Sequence, residues 1–184
     1  YEIAKFCKKK NVHFIHASGT IVNGIKKKYS RKTKLNPINH YGKSKLKGDN
    51  LIKKTNCKYT ILRFGGIYGK NGPKHLGINK FINFALNGKK IIFNGNKNSL
   101  RNYIFVKDAA NIILNCMQNK RYGIFYLGGE ILSFGLMLKK IIMILGKKKE
   151  ILFLGNRNKK DVQIIKTDKI IKYTSFEKSL KLIK

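Results

Sequence analysis

Two short β-branched, apolar runs that stop abruptly at small residues constrain this chain most. Val12-His-Phe-Ile-His-Ala-Ser18 ends on a small polar residue, and Tyr59-Thr-Ile-Leu-Arg-Phe64 is closed by Gly65-Gly66. Both read as buried strands. Between them, a polar lysine-rich loop over residues 24–36 leads through Pro37 to a helix over about residues 39–54, in which Leu46, Asn50 and Lys53 keep helical spacing. The same rhythm continues downstream. A glycine-rich loop precedes a helix over residues 78–86 that Asn87-Gly88 stops, followed by a short strand at 90–93, a turn at 95–100 and an extended piece at 103–106. Asp108 is placed to cap a helix running to about 118, a strand follows at 124–127, and Ser133 caps a helix to 145 that ends at Gly146. A strand at 151–154 and lysine-rich helical pieces after Asp168 complete the pattern, while residues 1–10 form a short basic helix with Ile3 and Phe6 on one side. Strands alternating with helices of this length predict an α/β fold built on a parallel sheet.

Composition narrows the function classes. With 184 residues and 42% hydrophobic content, the chain is long and apolar enough for one ordinary core and unlike a disordered segment. No apolar run approaches the roughly 20 residues that a spanning helix needs, and the N-terminus carries no signal-like segment, so no membrane association is expected. Cys7, Cys57 and Cys116 lie far apart, and His13, His16, His40 and His75 add no ligand spacing. The expectation is therefore no metal site and a reducing, cytoplasmic compartment. A formal net charge of +33 suggests a basic nucleic-acid-binding protein as an alternative. The lysines run from Lys5 to Lys184 rather than along one stripe, and Lys, Asn and Ile are enriched together, as an A/T-rich coding sequence produces. Nucleic acid is thus not the expected partner, although the charge would draw in anionic substrates.

Chemistry concentrates at Tyr41-Gly-Lys-Ser-Lys45, where Tyr41 and Lys45 stand one turn apart on a helix face. An ammonium beside a phenol favours the phenolate, and such a tyrosine can exchange a proton with a substrate hydroxyl or carbonyl. Ser18, ending a parallel strand, lies where open α/β sheets place their ligands. The spacing alone is weak, since Tyr1/Lys5 and Tyr103/Lys107 also match it.

The context resembles the extended short-chain dehydrogenase/reductase family, of the NAD-dependent, sugar-nucleotide epimerase/dehydratase type. Asn36-Pro-Ile-Asn-His-Tyr41-Gly-Lys-Ser-Lys45 is similar to the segment that opens that family's active-site helix, and His16-Ala-Ser18-Gly-Thr20-Ile-Val-Asn-Gly24 to the strand end with the catalytic Ser/Thr. Leu62-Arg-Phe64-Gly-Gly-Ile-Tyr68-Gly69 and Gly95-Asn-Lys-Asn-Ser-Leu-Arg101-Asn-Tyr-Ile-Phe-Val106-Lys-Asp108 continue the likeness in order. The resemblance implies a partial Rossmann-like, doubly wound parallel sheet over residues 1–88. It also implies a small, mainly substrate-binding α/β subdomain over 89–184, from which a strand at about 124–128 returns to the sheet. It implies an oxidoreductase or isomerase using NAD or NADP on a nucleotide-activated sugar, as an epimerase, dehydratase or reductase, and a homodimer to which Leu46 and Ile52 contribute. Tyr41 would be the acid/base and Lys45 its electrostatic partner and a ligand of the nicotinamide ribose. Ser18 would hold the reacting oxygen with Thr20 as the fallback hydroxyl, Phe64, Gly65 and Gly66 would approach the nicotinamide, and Arg101 would bind the substrate diphosphate.

The departures are Gly19 in place of a second polar residue, Val22 and Asn23 in place of an aromatic, and Asn102 and Lys107 in place of acids. The family's N-terminal glycine fingerprint has no counterpart before Ser18, and the chain begins with Tyr1, so the expectation is a fragment. Gly66-Ile-Tyr-Gly69-Lys-Asn-Gly72 has the right glycine spacing but runs into Pro73 and lacks an acidic residue about 20 positions on. An inactive remnant of the family is the other alternative.

Overall fold

The computed structural model describes residues 1–147, 150–155 and 161–184. Its helices are α1 (Glu2–Lys9), α2 (His40–Lys54), α3 (Gly77–Leu86), α4 (Val106–Gln118), α5 (Phe134–Leu145) and α6 (Phe176–Ile183). Its longer strands are β1 (Phe14–Gly19), β3 (Tyr59–Phe64), β5 (Ile91–Asn94), β8 (Gly123–Leu127), β10 (Ile151–Leu154) and β11 (Val162–Ile165). Two-residue strands β2 (Lys28–Tyr29), β4 (Ile67–Tyr68), β6 (Leu100–Arg101), β7 (Ile104–Phe105) and β9 (Leu132–Ser133) stitch the rest together.

Strands β1, β3 and β8 form a parallel sheet in that order, so the α/β architecture expected from the strand–helix rhythm is present. The register sets Ser18 opposite Arg63 and Arg63 opposite Tyr126. Neighbours in register on parallel strands project from the same face of the pleat. The ends of β1, β3 and β8 thus bring Ser18-Gly19, Gly65-Gly66 and Gly128-Gly129 to one edge of the sheet. Beyond that edge lie a parallel pair, β10 with β5, and a sheet ordered β2-β11-β6-β9 in which β9 runs antiparallel to β6.

Apolar periodicity places the largest core between α3, α5 and α6, where Ile78, Ile82, Met137, Leu138, Ile141 and Leu180 are buried. A second cluster, including Leu62, Phe64, Ile104 and Ile112, joins β3 to α4. Helix α5 starts as expected, with Ser133 Oγ accepting from Leu136 N at 3.2 Å.

Other elements differ from the sequence pattern or refine it. In α1 it is Ala4 and Cys7 that are buried, while Ile3 and Phe6 face solvent. In α2 the buried positions are Gly42, Asp49 and Ile52, while Leu46 and Lys53 are half-buried and Asn50 is exposed. Ile52 packs with Ala4 and Cys57 and is not free to meet a second copy of the chain. The tail contains the strand β11, and its helix begins only at Phe176. As Pro73 led one to expect, the Gly66–Gly72 spacing does not open a helix, since α3 starts at Gly77.

Asp108 does not cap α4. Phe105 occupies the cap position, and Asp108 sits in the first turn. Its carboxylate instead accepts from Thr174 N (2.9 Å) and Thr174 Oγ1 (2.7 Å), tying the approach to α6 onto α4. With Asp108 only 3% exposed, Asp108→Ala leaves both Thr174 donors without this partner. The expected loss is about 2–3 kcal/mol, read as a lower urea midpoint at unchanged slope.

Candidate active site

Helix α2 begins where the side chain of Asn39 accepts from Gly42 N at 2.8 Å, satisfying one of the first-turn amides. A Cβ on Gly42 would lie 2.9 Å from Pro37 Cβ and 3.1 Å from Ile21 O. Glycine there lets the first turn of α2, which carries Tyr41, press against the 3-10 turn Thr20–Asn23 that follows Ser18. One turn later Lys45 Nζ donates to Ala17 O at 3.2 Å, fixing the ammonium at the residue before Ser18. The same ammonium lies 5.7 Å from the centre of the Tyr41 ring. Tyr41 is exposed, while Ser18 is 7% exposed and its Oγ has no hydrogen-bond partner. A buried hydroxyl without a partner costs free energy and calls for an explanation.

Two cavities meet at Gly65 and Gly66. One, of about 370 Å³, is lined by Thr20, Tyr29, Arg101, Tyr103 and Gln163 together with both glycines. The other, of about 520 Å³, is lined by Tyr41, Tyr68, Lys70 and His75 with the same glycines. A Cβ on Gly65 would lie 2.5 Å from Ile165 Cδ1, the end of a flexible side chain, and one on Gly66 2.5 Å from Tyr103 Cδ1, so a larger residue at Gly66 would have to displace the Tyr103 ring. Phe64 turns its side chain into the core, leaving only its backbone at the sheet edge.

Arg101 faces the smaller cavity with its guanidinium already oriented. Nη2 donates to Asp161 Oδ2 at 2.6 Å and Nη1 to Leu100 O at 2.8 Å, and the group lies 5.3 Å from the centre of the Phe134 ring. Asn102, one of the residues standing where the family pattern has an acid, is buried and exchanges two 2.9 Å hydrogen bonds with the backbone of Ile165, one to its carbonyl and one from its amide.

Beneath the site lies a polar cluster that the sequence did not disclose. Arg63, 3% exposed, donates from Nε (3.1 Å) and Nη2 (2.9 Å) to Oδ2 of the fully buried Asp49. Its Nη1 donates to Tyr126 Oη at 2.6 Å. His16 Nε2 stands 3.5 Å from Asp49 Oδ1, and neither atom makes a hydrogen bond. Desolvation holds the His16 imidazole below its ordinary pKa against the attraction of Asp49. Among the described residues, no cluster of three or more His, Cys, Asp or Glu could hold a metal ion, and no helix is long and apolar enough to cross a membrane.

The profile of the RmlD substrate-binding domain family matches residues 1–132. The chain belongs to that family. It is 37% identical over 100 residues to the dTDP-D-glucose 4,6-dehydratase of Dictyostelium discoideum, an alignment covering 50% of this chain and 23% of that protein. The same fold is found in the UDP-glucuronic acid 4-epimerase of Bacillus cereus in complex with NAD (TM-score 0.82, 21% identity, 98% of this chain and 63% of that one). It recurs in the dTDP-4-dehydrorhamnose reductase of Bacillus anthracis in complex with NADP (TM-score 0.78, 19% identity, 98% and 68%). This RmlD-family chain therefore spans about a quarter of its sequence relative and about two-thirds of the solved proteins that share its fold.

Ser18→Ala provides a direct check on the unpartnered hydroxyl. If Ser18 serves a ligand rather than the fold, the variant keeps or slightly raises the thermal midpoint, because it removes a buried group that has no partner to lose. A midpoint lower by several degrees would show that Ser18 Oγ supports the fold.

Proposed function

We propose that this chain is the catalytic and substrate-binding part of an NAD- or NADP-dependent enzyme that epimerises, dehydrates or reduces a nucleotide-activated sugar. One observation carries the reading: near the end of β1, the buried, unpartnered hydroxyl of Ser18 follows directly on the Ala17 carbonyl that anchors Lys45, on the helix that presents Tyr41. In the fold neighbours with bound cofactor this is the fold of sugar-nucleotide enzymes.

The residues present fit the nicotinamide end of such a cofactor. Lys45 uses one of its three donors on Ala17 O and keeps the others for ribose hydroxyls. The backbone at Phe64, whose side chain is buried in the core, and the two glycines Gly65 and Gly66, which carry no Cβ, supply the approach surface. When bound, the nicotinamide supplies reversible hydride transfer. Tyr41 takes the proton of the sugar hydroxyl as it becomes a carbonyl, and returns it in the reverse direction. Ser18 Oγ donates to the same oxygen and fixes its direction, with Thr20 as the neighbouring hydroxyl on the cavity wall. Arg101, held by Asp161 and Phe134, takes the diphosphate through charge-assisted hydrogen bonds, and the net charge of +33 favours capture of the anionic substrate. Residues 1–88 then supply the sheet and the Ser18/Tyr41/Lys45 group, and residues 89–184 mainly the substrate side, with β8 returned to the sheet.

The test uses the full-length protein with NAD or NADP and a panel of dTDP- and UDP-sugars. Tyr41→Phe should lower kcat by about 10²–10⁴-fold while leaving the circular dichroism spectrum and thermal midpoint unchanged, since Tyr41 is exposed. Turnover equal to that of the parent, or no turnover by the parent on any of these sugars, would overturn the assignment.

A further inference from the structure

We infer that Tyr126 is a positioning residue: its hydroxyl relays Arg63 to Asn23 and so holds the segment carrying Ser18 and Thr20 in register with the helix carrying Tyr41 and Lys45. The inference rests on the reading of Tyr41 and Ser18 given above.

From Asp49 to Asn23 the relay runs through buried groups, and its last link, to Thr33, is partly buried. Asp49 on α2 accepts both Nε and Nη2 of Arg63, and Arg63 Nη1 donates to Tyr126 Oη at 2.6 Å. The Tyr126 hydroxyl then donates to Asn23 Oδ1 at 3.1 Å, and Asn23 Nδ2 donates to Thr33 O at 2.9 Å. Tyr126 is 1% exposed and Asn23 is fully buried. Asn23 closes the 3-10 turn that starts at Thr20, immediately beyond Ser18-Gly19. Thr33 lies on the loop that leads to the Asn39 cap of α2, and Asn36 N adds a 3.0 Å bond to Val22 O. The connections therefore close a ring from α2 through β3 and β8 to the turn after β1, then back along the chain to α2.

A phenol suits the middle of this ring. Arg63 has only donors and the Asn23 amide oxygen only accepts, so the link between them must accept on one side and donate on the other. A hydroxyl does both, whereas phenylalanine of the same shape does neither. Tyr126 sits opposite Arg63 in register, which is what brings its hydroxyl within reach. Reacting groups must be held to a fraction of an ångström for full rate, so slack in the turn should lower turnover before it lowers cofactor binding.

The experiment compares the full-length protein with Tyr126→Phe, Tyr41→Phe and Leu145→Ala. The last truncates a buried residue of the core around α5, away from the ring, and serves as a variant of lowered stability. Two readouts are taken: kcat and KM on the dTDP- and UDP-sugar panel, and amide hydrogen exchange over residues 20–24. The expected result for Tyr126→Phe is a kcat at least tenfold lower, an unchanged KM for the nicotinamide cofactor, and faster exchange at 20–24. Leu145→Ala should show neither a kcat loss of that size nor local loosening at 20–24. If Tyr41→Phe is inactive while Tyr126→Phe keeps kcat within twofold of the parent, the positioning role is wrong and the functional reading stands. If the functional reading itself fails, exchange decides: faster exchange at 20–24 supports the brace, and unchanged exchange overturns it. Should Tyr126→Phe not fold, Asn23→Leu breaks the same link from the other end and is held to the same outcomes.

Discussion

The arrangement of this molecule depends on one buried ion pair. Asp49 is fully buried and Arg63 is 3% exposed, so each charge has been taken out of water and is tolerable only with the other in place. Arg63 lies in the middle strand of the β1-β3-β8 sheet, one residue before the Phe64-Gly65-Gly66 edge. Asp49 lies on α2, two turns after Tyr41 and one after Lys45. The pair therefore sets how deeply and at what angle the chemistry-bearing helix lies on the sheet. Lys45 at Ala17 O and Gly42 against Ile21 O extend the same contact toward the end of β1.

This placement separates two tasks that often compete. The ion pair and its hydrogen-bonded neighbours are satisfied within the fold, apart from Asp49 Oδ1 and the facing His16 Nε2. Ser18 Oγ, in register beside Arg63, is the group left without a partner at the sheet edge. A polar framework below and an unfilled hydroxyl above are what a preorganised site requires, because the framework is ordered before the ligand arrives. The downstream half contributes differently. Arg101 is oriented by Asp161 and Phe134 at the wall of a cavity that shares Gly65 and Gly66 with the one lined by Tyr41.

Much of this was legible in the sequence. The strand at 59–64 and the strand at 151–154 match their expected limits, and the motif order pointed to the family that the profile match establishes. What escaped was polar. On α2, the spacing of Leu46, Asn50 and Lys53 marked a helix but not its inward face, and the sheet-facing side carries Gly42 together with Lys45 and Asp49, two charged residues of a kind that normally marks solvent. A signal was available: the chain has 8 acidic residues against 41 basic ones, so each retained carboxylate is a candidate for a specific duty. Every one of them has a partner. Besides Asp49, Asp108, Asp161 and Asp168 hold Thr174, Arg101 and the Tyr126 amide, Glu130 holds the Phe176 amide, and Glu2, Glu150 and Glu177 pair with lysines. The strand at Val162–Ile165 was missed because it is only four residues long and its pairing partners, β2 and β6, are distant in sequence.

The most direct measurement is a double-mutant cycle on the buried pair, with Asp49→Asn, Arg63→Met and the combined variant compared by urea unfolding. If the pair is the constraint on which the helix placement depends, each single change costs about 3–5 kcal/mol, and the combined change costs less than their sum by about 1–3 kcal/mol. Single changes that cost little, or costs that simply add, would mean that the helix is held by its apolar contacts and that the pair is incidental.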